Sequence, residues 1–102
     1  MHDIAITLVN NASTADAANW ENDPQYVALM KYVYQSGIWD KQYRSGIRGI
    51  LQKEIAQLTP EEINTYLTFI FGTERIQQGC VEAHIQNGVL LNLMKRYLEL
   101  EE

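Results

Sequence analysis

Cysteine occurs once in this chain, at Cys80, so no internal disulfide can form. That fits a reducing compartment and excludes the disulfide frameworks of many small secreted domains. Proline occurs only twice, at Pro24 and Pro60, which leaves long stretches free to be helical. No apolar run approaches the ~18 residues that read as a bilayer span. The opening Met1-His2-Asp3-Ile4 has no basic region ahead of an apolar stretch, so a signal peptide is not expected. Positive charge is scarce as well: eight Lys and Arg face thirteen Asp and Glu, for a net charge of −5. Phosphate binding needs the opposite balance, so neither nucleic acid nor membrane is expected as a partner. A cytoplasmic location is the expectation these absences leave.

What is present describes one ordinary globular domain. The chain has 102 residues, 46% apolar and 21% charged, enough for a single core. Both prolines follow a good N-cap residue. Asp23-Pro24 and Thr59-Pro60 place proline at the first helical position, where its missing N–H costs nothing. Thr59 to Glu62 also reads as a capping box, and a cap is worth ~1 kcal/mol.

From Pro24 the apolar residues Tyr26, Val27, Met30, Val33 and Tyr34 recur at helical spacing, and Gly37 reads as the end of that helix. Asp40 can cap a second helix with Ile47, Ile50, Leu51 and Ile55 as its stripe and Leu58 in the turn beyond. A third starts at Pro60 and turns Ile63, Tyr66, Leu67, Ile70 and Phe71 inward, with a break or kink at Gly72-Thr73. A fourth, from about Glu74 to Gln86, buries Ile76, Cys80, Val81 and Ile85; Gly79 inside it predicts a close helix crossing. Asn87-Gly88 is a left-handed exit. The last helix turns Leu90, Leu93, Met94, Tyr97 and Leu98 inward. The fold class expected is all-α, a compact bundle of about five helices over residues 23–102. Residues 1–22 belong to the same folding unit: Ile4, Ala5, Leu8 and Val9 favour a short helix over a strand with no partner, and residues 10–22 read as a polar connection or weak helix, the most mobile part.

The stretch Gly72-Thr73-Glu74-Arg75-Ile76-Gln77-Gln78-Gly79, with Asn87-Gly88-Val89-Leu90-Leu91 and Leu93-Met94-Lys95-Arg96-Tyr97-Leu98, resembles the second half of an uncharacterised bacterial and phage family, domain-of-unknown-function family 6508. Its acid-arginine-aromatic element and later glycine fall on Glu74, Arg75 and Gly79, its glycine turn on Gly88, and its arginine-leucine-like pair on Arg96 and Leu98. The likeness covers about residues 30–98. Gly72 stands where the family usually has arginine, and Ile76 where it has an aromatic. The resemblance implies a helical fold and a bacterial or phage origin, and it marks Arg75; it implies no chemistry, since the family has no established activity.

No catalytic constellation is legible. Cys80 and His84, four apart, would share a helix face, but a zinc site needs more ligands than these and His2 provide. Cys80 in a helix interior would lack the N-terminal dipole that activates a thiol. Glu61 and Glu62 are explained by the capping box. The expectation is therefore no enzyme, no cofactor and no metal.

The sharpest surface signal is basic. Lys41, Arg44, Arg48 and Lys53 lie in thirteen residues without an acid, a stretch of +4 against −9 elsewhere. On a helix Lys41, Arg44 and Arg48 share a face, with Tyr43 close by. That face suits docking of an acidic protein or an anionic small ligand; the plain alternative is a solvated face that balances acids elsewhere. Trp39, in the turn before it, is unexplained by helix patterning and is a candidate interface anchor. Arg75, expected in the first turn of the fourth helix, opposes the macrodipole there; it serves either as a tie to a neighbouring helix or as a reader of an anion. The leading reading is a protein–protein interaction or regulatory module. The alternative is a binder or sponge for a nucleotide-like anion.

Overall fold

The fold was taken from a computed structural model that describes residues 1–11, 16–35 and 43–101. Among these residues the chain is all-helical, with no strand. Six α-helices run in order: α1 (His2–Asn10), α2 (Pro24–Gln35), α3 (Tyr43–Leu51), α4 (Pro60–Glu74), α5 (Cys80–Gln86) and α6 (Val89–Leu100). Two short 3-10 turns, Ala17–Asn22 and Ile55–Gln57, precede α2 and α4. The count exceeds the expected five because the N-terminal segment forms a helix of its own, burying Ala5 and Leu8. Gly37, Trp39, Asp40 and Lys41, all singled out above, lie outside the described residues.

Helix α4 is the hub. It packs against α2, α3, α5 and α6, and it buries Ile63, Tyr66, Leu67, Ile70 and Phe71. Helix α1 lies on α2 and α6, so the N-terminal segment shares the same core. The Cα radius of gyration, 12.5 Å, matches the ~13 Å of a 100-residue domain with one core.

The local start signals act as read. Asp23 Oδ1 accepts from the Gln25 amide at 3.0 Å. At Thr59 both halves of the capping box form: the Glu62 amide donates to Thr59 Oγ1 at 3.3 Å, and the Thr59 amide donates to Glu62 Oε1 at 3.0 Å. Gly88 takes the left-handed φ of 82°.

Four readings are corrected. Helix α4 does not break at Gly72-Thr73 but runs to Glu74; Gly72 is buried among packed neighbours, and tertiary packing outweighs its low propensity. The Thr73 carbonyl then ends the helix by accepting from Ile76 and Gln77, at 3.0 and 2.7 Å. Helix α5 starts only at Cys80, so Gly79 is its N-cap with φ 99°. A Cβ there would meet nothing within 4 Å; the glycine serves a backbone conformation, not a close crossing. Ile76, expected inward, is 79% exposed, and Leu51 is exposed as well. The segment read as a polar connection or weak helix does carry a 3-10 turn, capped by Asp16, but it buries Trp20, which packs edge-on against Phe71 with ring centroids 6.2 Å apart.

Candidate functional site

The link between α4 and α5 is the most chemically organised part of the surface. Glu74, the last residue of α4, folds its side chain over the start of α5. Its Oε2 accepts from the Gly79 amide at 3.2 Å and its Oε1 from the Val81 amide at 2.8 Å. The amides at a helix start lack intrahelical partners, and a carboxylate suits both their hydrogen bonds and the positive end of the dipole. Gly79 supplies the left-handed turn that brings these groups together. The elements that carry the family resemblance here, Glu74 and Gly79, thus form a helix cap.

Arg75 follows as the C-cap of α4. The expected conflict with a helix N-terminus is therefore absent: the cation sits at a C-terminal end, which the macrodipole favours. Its guanidinium lies over the Tyr34 ring, 5.6 Å from the centroid, and makes no ion pair with a described residue. Tyr34 in turn donates its hydroxyl to the Phe71 carbonyl at 3.1 Å. Burial pushes the Tyr34 hydroxyl above its ordinary pKa of 10.0, with Arg75 pulling down and Glu74 pushing up.

Two surface clefts flank this link. One, of 480 Å³, is walled by Trp20, Val27, Met30 and Tyr34 and carries Glu21 and Arg75 at its edge. The other, of 280 Å³, lies between α3 and the end of α4; it is lined by Tyr43, Arg44, Ile47, Phe69 and Ile76. The Arg44 guanidinium sits 5.9 Å from the Tyr43 ring centroid, and its Nε donates to the Tyr43 hydroxyl at 3.4 Å. Arg44 and Arg48 are exposed, while Ile47 and Ile50 on the same helix are buried. The amphipathic reading of α3 therefore holds at Ile47 and Ile50 but not at Leu51, which is exposed. Arg75 and Arg44 line different clefts. Lys53 leaves the basic group altogether, pairing with Glu62 at 2.5 Å.

The Cys80–His84 pair shares a face of α5, as spacing implied. His84 donates Nδ1–H to the Cys80 carbonyl at 2.7 Å, with Cys80 Sγ 3.7 Å away. The imidazole packs edge-on against Tyr66 and Phe69 at 6.3 and 6.2 Å. Cys80 is the first residue of α5, not an interior one, but the flanking Gly79 and Val81 amides donate to Glu74. Burial pushes the thiol above its ordinary 9.0, and the Glu74 charge adds to the rise. No cluster of three or more His, Cys, Asp or Glu able to hold a metal occurs among the described residues. No helix there is long and apolar enough to cross a membrane.

Sequence reasoning missed Trp20, Glu21 and the exposure of Ile76. Trp20 alone left a signal, as a tryptophan in an otherwise polar segment. The described residues define an all-helical domain with two clefts that each include residues of the α4–α5 link. No family model matches the chain, and neither does any curated protein or solved structure.

Proposed function

We propose that this chain is a non-catalytic protein–protein interaction or regulatory module, cytoplasmic and of bacterial or phage origin, related to domain-of-unknown-function family 6508. Its docking surface is the outer face of α3 together with the cleft against α4. The observation that carries the reading is Ile76, an apolar side chain 79% exposed at the rim of a cleft lined by Tyr43, Arg44 and Ile47. An isolated exposed apolar residue needs no explanation, but one beside an aromatic-walled cleft and arginines has the make-up of an interface anchor. The arginines set the partner's chemistry. No acid occurs from residue 41 to 53, so the face complements an acidic protein segment that places an apolar side chain in the cleft. Lys41 and Trp39 stand next to this face in sequence and belong to the proposal as further contacts.

The test is affinity capture from the native host with mass spectrometry, using the wild type, Ile76→Asp and the double variant Arg44→Glu/Arg48→Glu. A partner held by this face is lost from both variants while the helical circular-dichroism signal persists. Undiminished capture by both variants would overturn the reading.

A further inference from the structure

The geometry points to a second site, independent of the docking face: the cleft between the first 3-10 turn, α2 and the end of α4 binds a small zwitterion, a free amino acid with an apolar side chain. Its volume of 480 Å³ falls in the range of small-molecule pockets, which combine apolar walls with a few polar groups. Val27, Met30, Trp20 and Tyr34 supply those walls. Methionine adapts to the shape of what it meets and makes favourable contacts with aromatic rings.

The charges define the polar end of the ligand. Arg75 and Glu21 line the same cleft, are both exposed, and pair neither with each other nor with another described residue. A cation and an anion that line one cleft without pairing complement a ligand that carries both signs. The contact with Tyr34 uses the charge of the guanidinium against the ring face and consumes none of its N–H donors. Arg75 thus remains able to take a carboxylate through two parallel hydrogen bonds. Glu21 takes the ammonium.

The third charged group of the cleft, Glu74, sharpens the choice. Both its oxygens are engaged by the α5 amides, so it is not available to turn to a ligand, but its negative charge remains. One guanidinium beside two carboxylates repels a polyphosphate and rejects the nucleotide-like anion that the isolated basic residues suggest. A monocarboxylate whose own ammonium offsets Glu21 meets no such penalty.

The test is a titration of ¹⁵N-labelled protein with L-phenylalanine and L-leucine, followed through the Trp20 indole and the Tyr34 and Gln78 amides. Two half-ligands run alongside: 3-phenylpropanoate, which lacks the ammonium, and phenethylamine, which lacks the carboxylate. The expected result is saturable shifts at millimolar amino acid, with binding weakened at least about tenfold for either half-ligand. Arg75→Gln and Glu21→Gln should each weaken binding similarly, Arg75→Lys less, and Arg44→Glu/Arg48→Glu not at all. Absence of saturable shifts with either amino acid overturns the proposal. Equal affinity for 3-phenylpropanoate and L-phenylalanine also overturns it, since that describes a simple anion site. Because the half-ligand comparison uses the wild type, it decides the matter even if a variant fails to fold. Loss of the docking partner in the capture experiment leaves this result untouched.

Discussion

The carboxylate of Glu74 accepts a hydrogen bond from the amide of Val81, seven residues further on, at 2.8 Å. One side chain thus ends its service to α4 and begins α5. Replacing it should cost what a lost N-cap costs, roughly 1–2 kcal/mol. We expect Glu74→Ala to lower the melting temperature by about 4–8 °C per kcal/mol in a domain of this size. The same change removes one of the two causes that raise the Cys80 thiol, so its pKa should fall. A urea midpoint equal to that of the wild type would show that the cap contributes nothing.

Gly79 holds φ 99° with open space where a Cβ would stand. Strain of the backbone, not crowding, should set the cost of substitution, on the order of 1–2 kcal/mol. Gly79→Ala and Gly79→Leu should therefore destabilise by similar amounts, and Gly79→Asn by less, because asparagine tolerates the left-handed region. A far larger loss for leucine than for alanine in thermal unfolding would restore the crossing-helix explanation.

Lys53 and Glu62 make a surface pair that also braces the capping box. The hydrogen bond from Lys53 is the main cause that lowers the Glu62 pKa, and the Thr59 amide adds to it. A carboxylate whose folded pKa lies below its unfolded one contributes stability above the unfolded value, near 4.5, and loses it as pH falls through the folded value. Glu62→Gln should thus be less stable than the wild type at neutral pH, with the difference fading below pH ~4. Salt should narrow the neutral-pH difference, as for any exposed pair. Denaturation curves at three pH values check this, and a constant difference across them would refute it.

Arg96 donates Nε–H to the Leu58 carbonyl at 2.9 Å and pairs through its other end with Glu99 at 3.3 Å. It ties α6 to the turn that precedes α4. Arg96→Met keeps the aliphatic packing and leaves the carbonyl without its donor, a loss of about 1–3 kcal/mol. Glu99→Gln should cost far less, since the pair is largely exposed. Equal stability of the two variants by chemical denaturation would contradict the assignment.

The all-helical class was legible, and so were the starts of α2 and α4 and the left-handed turn at Gly88. Asp23, Thr59 and Glu62 act on amides two or three residues away, so a short window of sequence contains both partners. The candidate site was legible only in pieces. Arg44 and Arg48 announced themselves by spacing on α3, whose apolar residues Ile47 and Ile50 are indeed buried. The separation of Arg75 from those arginines depends on where α4 stops, and no local signal gave that point.

What the sequence by itself determined, then, is the helical class, the starts of α2 and α4 and the turn at Gly88, because propensity, periodicity and capping are short-range interactions. The tertiary structure alone decided that Gly72 continues a helix, that Trp20 is buried against Phe71, and that Ile76 faces solvent. It also decided that Arg75 rests on Tyr34, forty-one positions away in the chain. The first two outcomes are a competition between a weak local preference and the burial of apolar surface against a distant element. Burial is worth ~25 cal/mol per Å², so a few tens of Å² supplied by a neighbouring helix outweigh the ~1 kcal/mol by which a glycine disfavours helix.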